Sequence, residues 1–236
     1  MKEKLYTIPV NDAFSTDCEC PLCIIYNKLE TDAIDFTLGP SYMEEDIRTI
    51  TDKEGFCDKH ITKLYKKQNS LGIANILKTH LYNRIRDIEK LSKEAPAKGG
   101  LFKKNTLSPI SEYINNHNNS CYICNKINPT FERYIATVIH LYKTDNNFKN
   151  KLTSSKGFCL KHYEMLYTAG LNTLNGSTLQ NYLDDLNKVV IENLKRVDSD
   201  LEWFIDKFDY RYKDEPWKNS KDAVERTIIK TNNTII

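Results

Sequence analysis

The chain reads as an all-α protein of two tandem zinc-stapled helical repeats packed on a long C-terminal helix, and three observations carry that reading. Apolar residues recur at three- and four-residue intervals through most of the chain, and no stretch sustains the alternation of a strand. Gly-Phe-Cys-x-Lys-His-x-x-x-Leu-Tyr occurs twice, at Gly55–Tyr65 and Gly157–Tyr167, each copy preceded by a Cys-x-x-Cys, Cys20/Cys23 and Cys121/Cys124. An apolar stripe from Leu179 to Phe208 is longer than any other in the chain and suits a spine on which both repeats pack.

The elements follow in order. After an extended start, Pro21 occupies a first-turn position and opens a helix in which Ile25, Leu29, Ala33 and Phe36 share a face. Gly39-Pro40 ends it, and Ser41-x-x-Glu44 predicts a capping box for a short helix through Ile50. Gly55-Phe56 turns the chain into a third helix carrying Cys57 and His60 on one face of its first turn. A fourth runs from about Leu71 to Glu94, with His80 on its apolar face. Pro96, Gly99, Gly100 and several lysines mark a connector, which divides the chain into a first repeat at 1–94, a connector at 95–107 and a second repeat at 108–236.

In the second repeat Ser108-Pro109 caps a short helix, and Cys121 to Pro129 opens one reaching about Lys143. A shorter helix through Leu152 and one from Cys159 to Ala169, stopped by Gly170, repeat the earlier order. Ser177 begins the spine helix, and a last helix starts near Ser220.

Each Cys-x2-Cys plus Cys-x2-His set supplies three thiolates and one imidazole, the ligand count and softness of tetrahedral structural zinc. Cys20, Cys23, Cys57 and His60 form one set and Cys121, Cys124, Cys159 and His162 the other, giving two zinc ions per chain; pairing across the repeats would use the same residues. An iron–sulfur cluster, another soft metal or metal-free thiol pairs are the competing uses of these positions. Inserts of 33 and 34 residues between the ligand pairs read as helices, so the metal joins helix starts, where the positive dipole end favours thiolates. Cys18 is left over as a possible spare thiol. Lys59 and Lys161 read as solvated first-turn lysines, or as counter-charges to the thiolates. His117, four residues before Cys121, is the one substitute ligand and otherwise a solvent-facing loop residue, while His80 and His140 read as core residues.

Composition narrows function by exclusion. With 34 basic and 32 acidic residues in 236, the net charge is +2, which argues against nucleic acid or an anionic membrane as partner. No apolar h-region follows the N-terminal lysines and no run approaches ~18 apolar residues, so a cytoplasmic location with no membrane association is expected. Seven cysteines then read as metal ligands rather than disulfides. Neither a nucleophile elbow, a phosphate-cradling glycine loop, a dinucleotide fingerprint nor a zinc-protease helix motif occurs. The expected role is a scaffold or binding module for a protein or small-molecule ligand. One alternative is a redox-responsive zinc switch at Cys18, Cys20 and Cys23, and another an enzyme with a cleft between the repeats. Phe208 to Trp217 interleaves aromatic and charged residues, which marks Tyr210, Arg211, Tyr212 and Trp217 as ligand- or partner-facing, or else as a lid on the core.

The combination of CPLC, GFCDKH, CYIC, GFCLKH and the tail Lys207 to Ala223 resembles an uncharacterised bacterial family common in anaerobic clostridia and their relatives. The resemblance covers nearly the whole chain. It implies that Leu38 to Arg48 is a further signature segment, and it implies no established activity. Some members carry a transporter substrate-binding label, which does not suit a chain without a signal peptide or an α/β pattern.

Overall fold

Helical periodicity becomes eleven α-helices and no strand among the described residues, 2–93 and 108–235, of a computed structural model in which Lys2–Leu5 are described by backbone alone. The predicted connector at 95–107 lies outside the described residues. The helices are α1 Lys2–Ser15, α2 Pro21–Leu38, α3 Glu45–Glu54, α4 Asp58–Lys66, α5 Ser70–Leu91 and α6 Pro109–Asn118. They continue with α7 Tyr122–Thr144, α8 Asn146–Thr153, α9 Leu160–Thr173, α10 Gly176–Asp206 and α11 Ala223–Asn232.

These elements form two compact units that do not coincide with the linear repeats: Met1–Lys28 joins Thr130–Ile236 in one, and Leu29–Pro129 makes the other. The boundaries fall inside α2 and α7, so each unit takes helices from both halves of the duplication.

In the first unit α10 packs against α8, α9 and α11, and α1 packs against α8. Its core stacks Phe14 on Phe148 at 4.8 Å and on Phe158 at 5.9 Å, with Leu152, Leu166, Tyr182 and Leu186 at 0% exposure. The start of the chain is therefore helical rather than extended. Pro9 removes the N–H that would bond the carbonyl four residues back, yet Val10, Ala13 and Phe14 share a buried face and hold the helix by packing. Gly170 does not stop α9. A Cβ there would lie 2.4 Å from Tyr182 Cε1, so the glycine is the slot for a ring whose hydroxyl donates to the Leu166 carbonyl at 3.1 Å.

In the second unit α5 packs against α3, α4 and α6. The expected capping box is absent: Ser41 sits in a 3-10 turn, Pro40–Met43, and Glu44 precedes α3 with no side-chain cap. The Ser108 cap forms, its Oγ accepting from the Ser111 N–H at 3.1 Å. Phe36 is 42% exposed rather than inward, with the Lys126 ammonium 4.1 Å over its ring, and the buried side of α2 includes Glu30, Ala33, Ile34 and Thr37.

Candidate metal centres

Both copies of Gly-Phe-Cys have the same local geometry. Gly55 and Gly157 take φ of +64° and +79°, a region that favours glycine, and the chain then enters α4 or α9 with Cys57 or Cys159 as N-cap. Neither N-cap sulfur bonds the helix, which leaves it directed at other partners. Cys20 and Cys121 immediately precede α2 and α7, and their carbonyls accept from Ile24 at 3.4 Å and Asn125 at 2.9 Å. All four ligand pairs thus stand at helix N-termini, where unpaired N–H groups favour thiolate over thiol.

The pairs meet across the repeats. Cys20 and Cys23 converge with Cys159 and His162, and Cys57 and His60 with Cys121 and Cys124, the four donor atoms of each set lying within 4.8 Å of one another. Sets confined to one repeat are not what forms. The reason is visible along the helices: His60 bonds Glu30, seven residues or ~10 Å of α2 beyond Cys23, and His162 packs on Phe131, seven residues beyond Cys124 on α7.

In the fully buried cluster His162 Nδ1 lies 3.4, 3.4 and 3.3 Å from the sulfurs of Cys20, Cys23 and Cys159, and the Cys23 and Cys159 sulfurs are 3.6 Å apart. In the half-buried cluster His60 Nδ1 lies 3.2, 3.2 and 3.4 Å from Cys57, Cys121 and Cys124. Tetrahedral zinc with bonds of ~2.3 Å to sulfur and ~2.0–2.1 Å to nitrogen spaces its donors ~3.6–3.8 Å apart, so both sets fit such an ion after slight expansion. Their electrostatics point the same way. Burial, then Cys159, pushes the Cys20 thiol up to about 12, and contact with Cys159 and Cys20 pushes Cys23 up as well. Hydrogen bonds from Cys20 and Cys23 pull Cys159 down. Burial and the neighbouring Cys121 push Cys124 up to about 12, whereas Cys121 is held to about 6 against its burial by His60. Three thiolates this close cannot coexist unaided; a divalent cation among them reverses the balance.

The two clusters differ in what surrounds the imidazole. His60 Nε2 is 2.9 Å from Glu30 Oε1, and with Nδ1 turned to the sulfurs it is the Nε2–H that donates. Burial opposes ionisation of Glu30, yet His60, Lys59 and Lys63 hold its carboxyl down to about 2. This is a carboxylate–histidine support of the kind that orients metal ligands. Lys59 is thus an exposed first-turn lysine, 52% accessible, whose ammonium pairs with the buried Glu30 carboxylate at 2.7 Å. His162 has no such acid. The position equivalent to Glu30, ten residues after the first cysteine of the Cys-x-x-Cys, is Phe131, whose ring lies 5.2 Å from the imidazole. His162 Nε2 is buried without a hydrogen-bond partner among the described residues. Beside this cluster, buried Lys230 on α11 donates to the carbonyls of Glu19 at 2.7 Å and of Lys156, tying together the segments that lead into Cys20 and Cys159. Its ammonium also pairs with the buried Glu19 carboxylate at 3.0 Å, as does Arg196 at 2.6 Å. Glu30 and Lys230 have no motif; the one trace in the sequence is the Lys59/Lys63 pair flanking His60, which calls for an acid.

The other expected residues fall outside the clusters. Cys18 is half-buried and belongs to neither set, its thiol pushed up first by burial. His117 is neither ligand nor loop residue: it lies in the last turn of α6, packs over Gly55 and is 3.2 Å from His80 Nε2. His140 is exposed rather than in the core. Lys161 lies over the Tyr26 ring at 5.5 Å. Tyr210 is 82% exposed, and Arg211 is held by the neighbouring Asp209 carboxylate at 2.7 Å. Trp217 packs on Phe204 at 5.8 Å, Tyr212 on Trp203 at 5.6 Å, and buried Lys207 gathers the Tyr212, Lys213 and Glu215 carbonyls beneath the turn. Cavities of about 310 and 360 Å³ in the first unit are lined by other residues.

The chain belongs to a family of unknown function, DUF6062, whose model matches residues 1–236. No curated protein and no solved structure matches it. Membership in the family therefore brings no activity with it, and the two clusters remain the guide to function. Among the described residues no helix is long and apolar enough to cross a membrane.

Proposed function

We propose that the protein is a helical binding or scaffold module held by two structural Cys3His zinc sites, Cys20/Cys23/Cys159/His162 and Cys57/His60/Cys121/Cys124. The observation that carries this reading is the convergence of four protein donors in each set. Four protein ligands complete a tetrahedron and leave no position for water or substrate, which is how structural zinc differs from catalytic zinc. Zinc bound there supplies cross-linking between helix starts rather than a reaction. An apparent ~10–16 kcal/mol per structural zinc at pH 7 is comparable with the ~5–15 kcal/mol that stabilises a domain, so loss of either ion unfolds its unit. The exposure of Phe208 and Tyr210, at 75% and 82%, supports a partner-facing role for the turn carrying Tyr210, Arg211, Tyr212 and Trp217.

Elemental analysis of protein purified without added metal tests the reading. Two zinc per chain are expected, falling to one in Cys159→Ser and staying at two in Cys18→Ser. A single metal in the wild type, or zinc loss in Cys18→Ser, contradicts it.

A further inference from the structure

The inward face of α5 buries Ile73 and Ile76 near its start and turns polar in its C-terminal half, while large apolar side chains stand on its outward face. Facing inward, Asn83 donates to the Asp52 carboxylate at 2.8 Å, Arg84 to the Asp52 carbonyl at 3.0 Å, and Asp87 accepts from Tyr113 at 2.9 Å. Facing outward, Leu77, Leu81, Tyr82, Ile85 and Ile88 are 40, 59, 62, 50 and 40% exposed. At 100° per residue these five fall within an arc of ~140° on one side of the helix. Leu71, 68% exposed, extends the same side towards the N-terminus. Six large side chains so exposed amount to on the order of 600 Å², the upper end of what a monomer leaves uncovered.

We propose that a second copy of the chain covers this face, α5 packing antiparallel on the partner's α5 about a twofold axis. Area supports a stable dimer. The six side chains of α5 alone bring the face towards the ~800 Å² per partner of a standard interface. Charge supports self-recognition. Lys78 and Glu89 are eleven residues apart, so they stand at nearly the same angle, within the stripe between Ile85 and Tyr82, about three turns from each other. Neither has an ion-pair partner among the described residues. An antiparallel pairing centred between positions 83 and 84 sets Lys78 against the partner's Glu89, and the symmetry supplies the reciprocal pair. The same register places Leu81 beside the partner's Ile85 at the centre. A parallel pairing would instead oppose like charges.

Sedimentation equilibrium on the full chain, as purified, tests the proposal. A dimer at micromolar concentration is expected, and Leu81→Lys/Ile85→Lys should weaken it at least ~100-fold, the combined cost of two central anchors. Because both side chains are exposed, helical circular dichroism and metal content should not change. Lys78→Glu should weaken association and Lys78→Glu/Glu89→Lys should restore it, a reversal that simple loss of packing would not give. A wild-type monomer throughout the micromolar range overturns the proposal and assigns the face to a different partner. A dimer that survives Leu81→Lys/Ile85→Lys overturns it by placing the contact elsewhere, and failure of the charge swap to restore binding overturns the antiparallel register.

Discussion

Glu30 is the residue on which the difference between the two clusters turns. It is buried in α2, accepts from His60 Nε2 and is neutralised by Lys59 and Lys63. Removing such a support usually costs a metal site ~10–100-fold in affinity. Glu30→Gln should therefore weaken zinc at Cys57/His60/Cys121/Cys124 by about that factor in a chelator competition and leave the other site unchanged, because His162 has Phe131 where His60 has the acid. Equal weakening at both sites would mean that Glu30 acts through general stability. The eight candidate ligands were legible because Cys-x2-Cys and Cys-x2-His put two donors on one turn at the start of a helix. Glu30 was not legible, since nothing local tells a buried glutamate from the surface acids around it. His140 misled for the opposite reason: its apolar neighbours are buried while it points out.

At the scale of elements, spacing was a good guide to where helices run wherever an apolar stripe was long, as in α5, α7 and α10, though most of the α5 stripe faces outward. It failed where one residue carried two readings. The start of the chain read as extended, yet Val10, Ala13 and Phe14 bury enough to hold α1 together despite Pro9. Gly170 suggested a helix stop and is instead a packing slot. Gly170→Ala gains up to ~1 kcal/mol of helix propensity, but its Cβ would meet the wholly buried Tyr182 ring at 2.4 Å. The clash should win, lowering stability in urea by ~1–3 kcal/mol with both metals still bound. Unchanged or higher stability would show that α9 and α10 separate easily at this point. Gly55 and Gly157 carry the clearest element-level message, because both positive-φ turns deliver a cysteine to a helix start, and their repetition in sequence is repetition of that geometry.

At the scale of the whole molecule, what the sequence left open was which ligand pairs meet. Duplicated motifs are interchangeable on paper, and only the paths of α2 and α7 decide that Cys20 and Cys23 join Cys159 and His162. The linear repeats at 1–94 and 108–236 consequently differ from the compact units. The same packing changes the expected order of metal release. The redox reading placed the labile site at Cys18, Cys20 and Cys23, but those ligand cysteines now lie in the fully buried cluster, whereas Cys57 and Cys124 are half-exposed. Under a strong chelator or mild peroxide the Cys57/His60/Cys121/Cys124 site should lose its zinc first, followed by mass spectrometry of the thiols protected at each stage; earlier loss from the buried cluster would return the switch to the Cys18 segment. The most direct measurement for the account as a whole is proton–cadmium correlation NMR on the chain loaded with ¹¹³Cd. Two cadmium resonances are expected, one coupled to the β-protons of Cys20, Cys23 and Cys159 and the other to those of Cys57, Cys121 and Cys124, whereas a resonance that joins Cys20 and Cys23 to Cys57 would contradict the cross-paired sites.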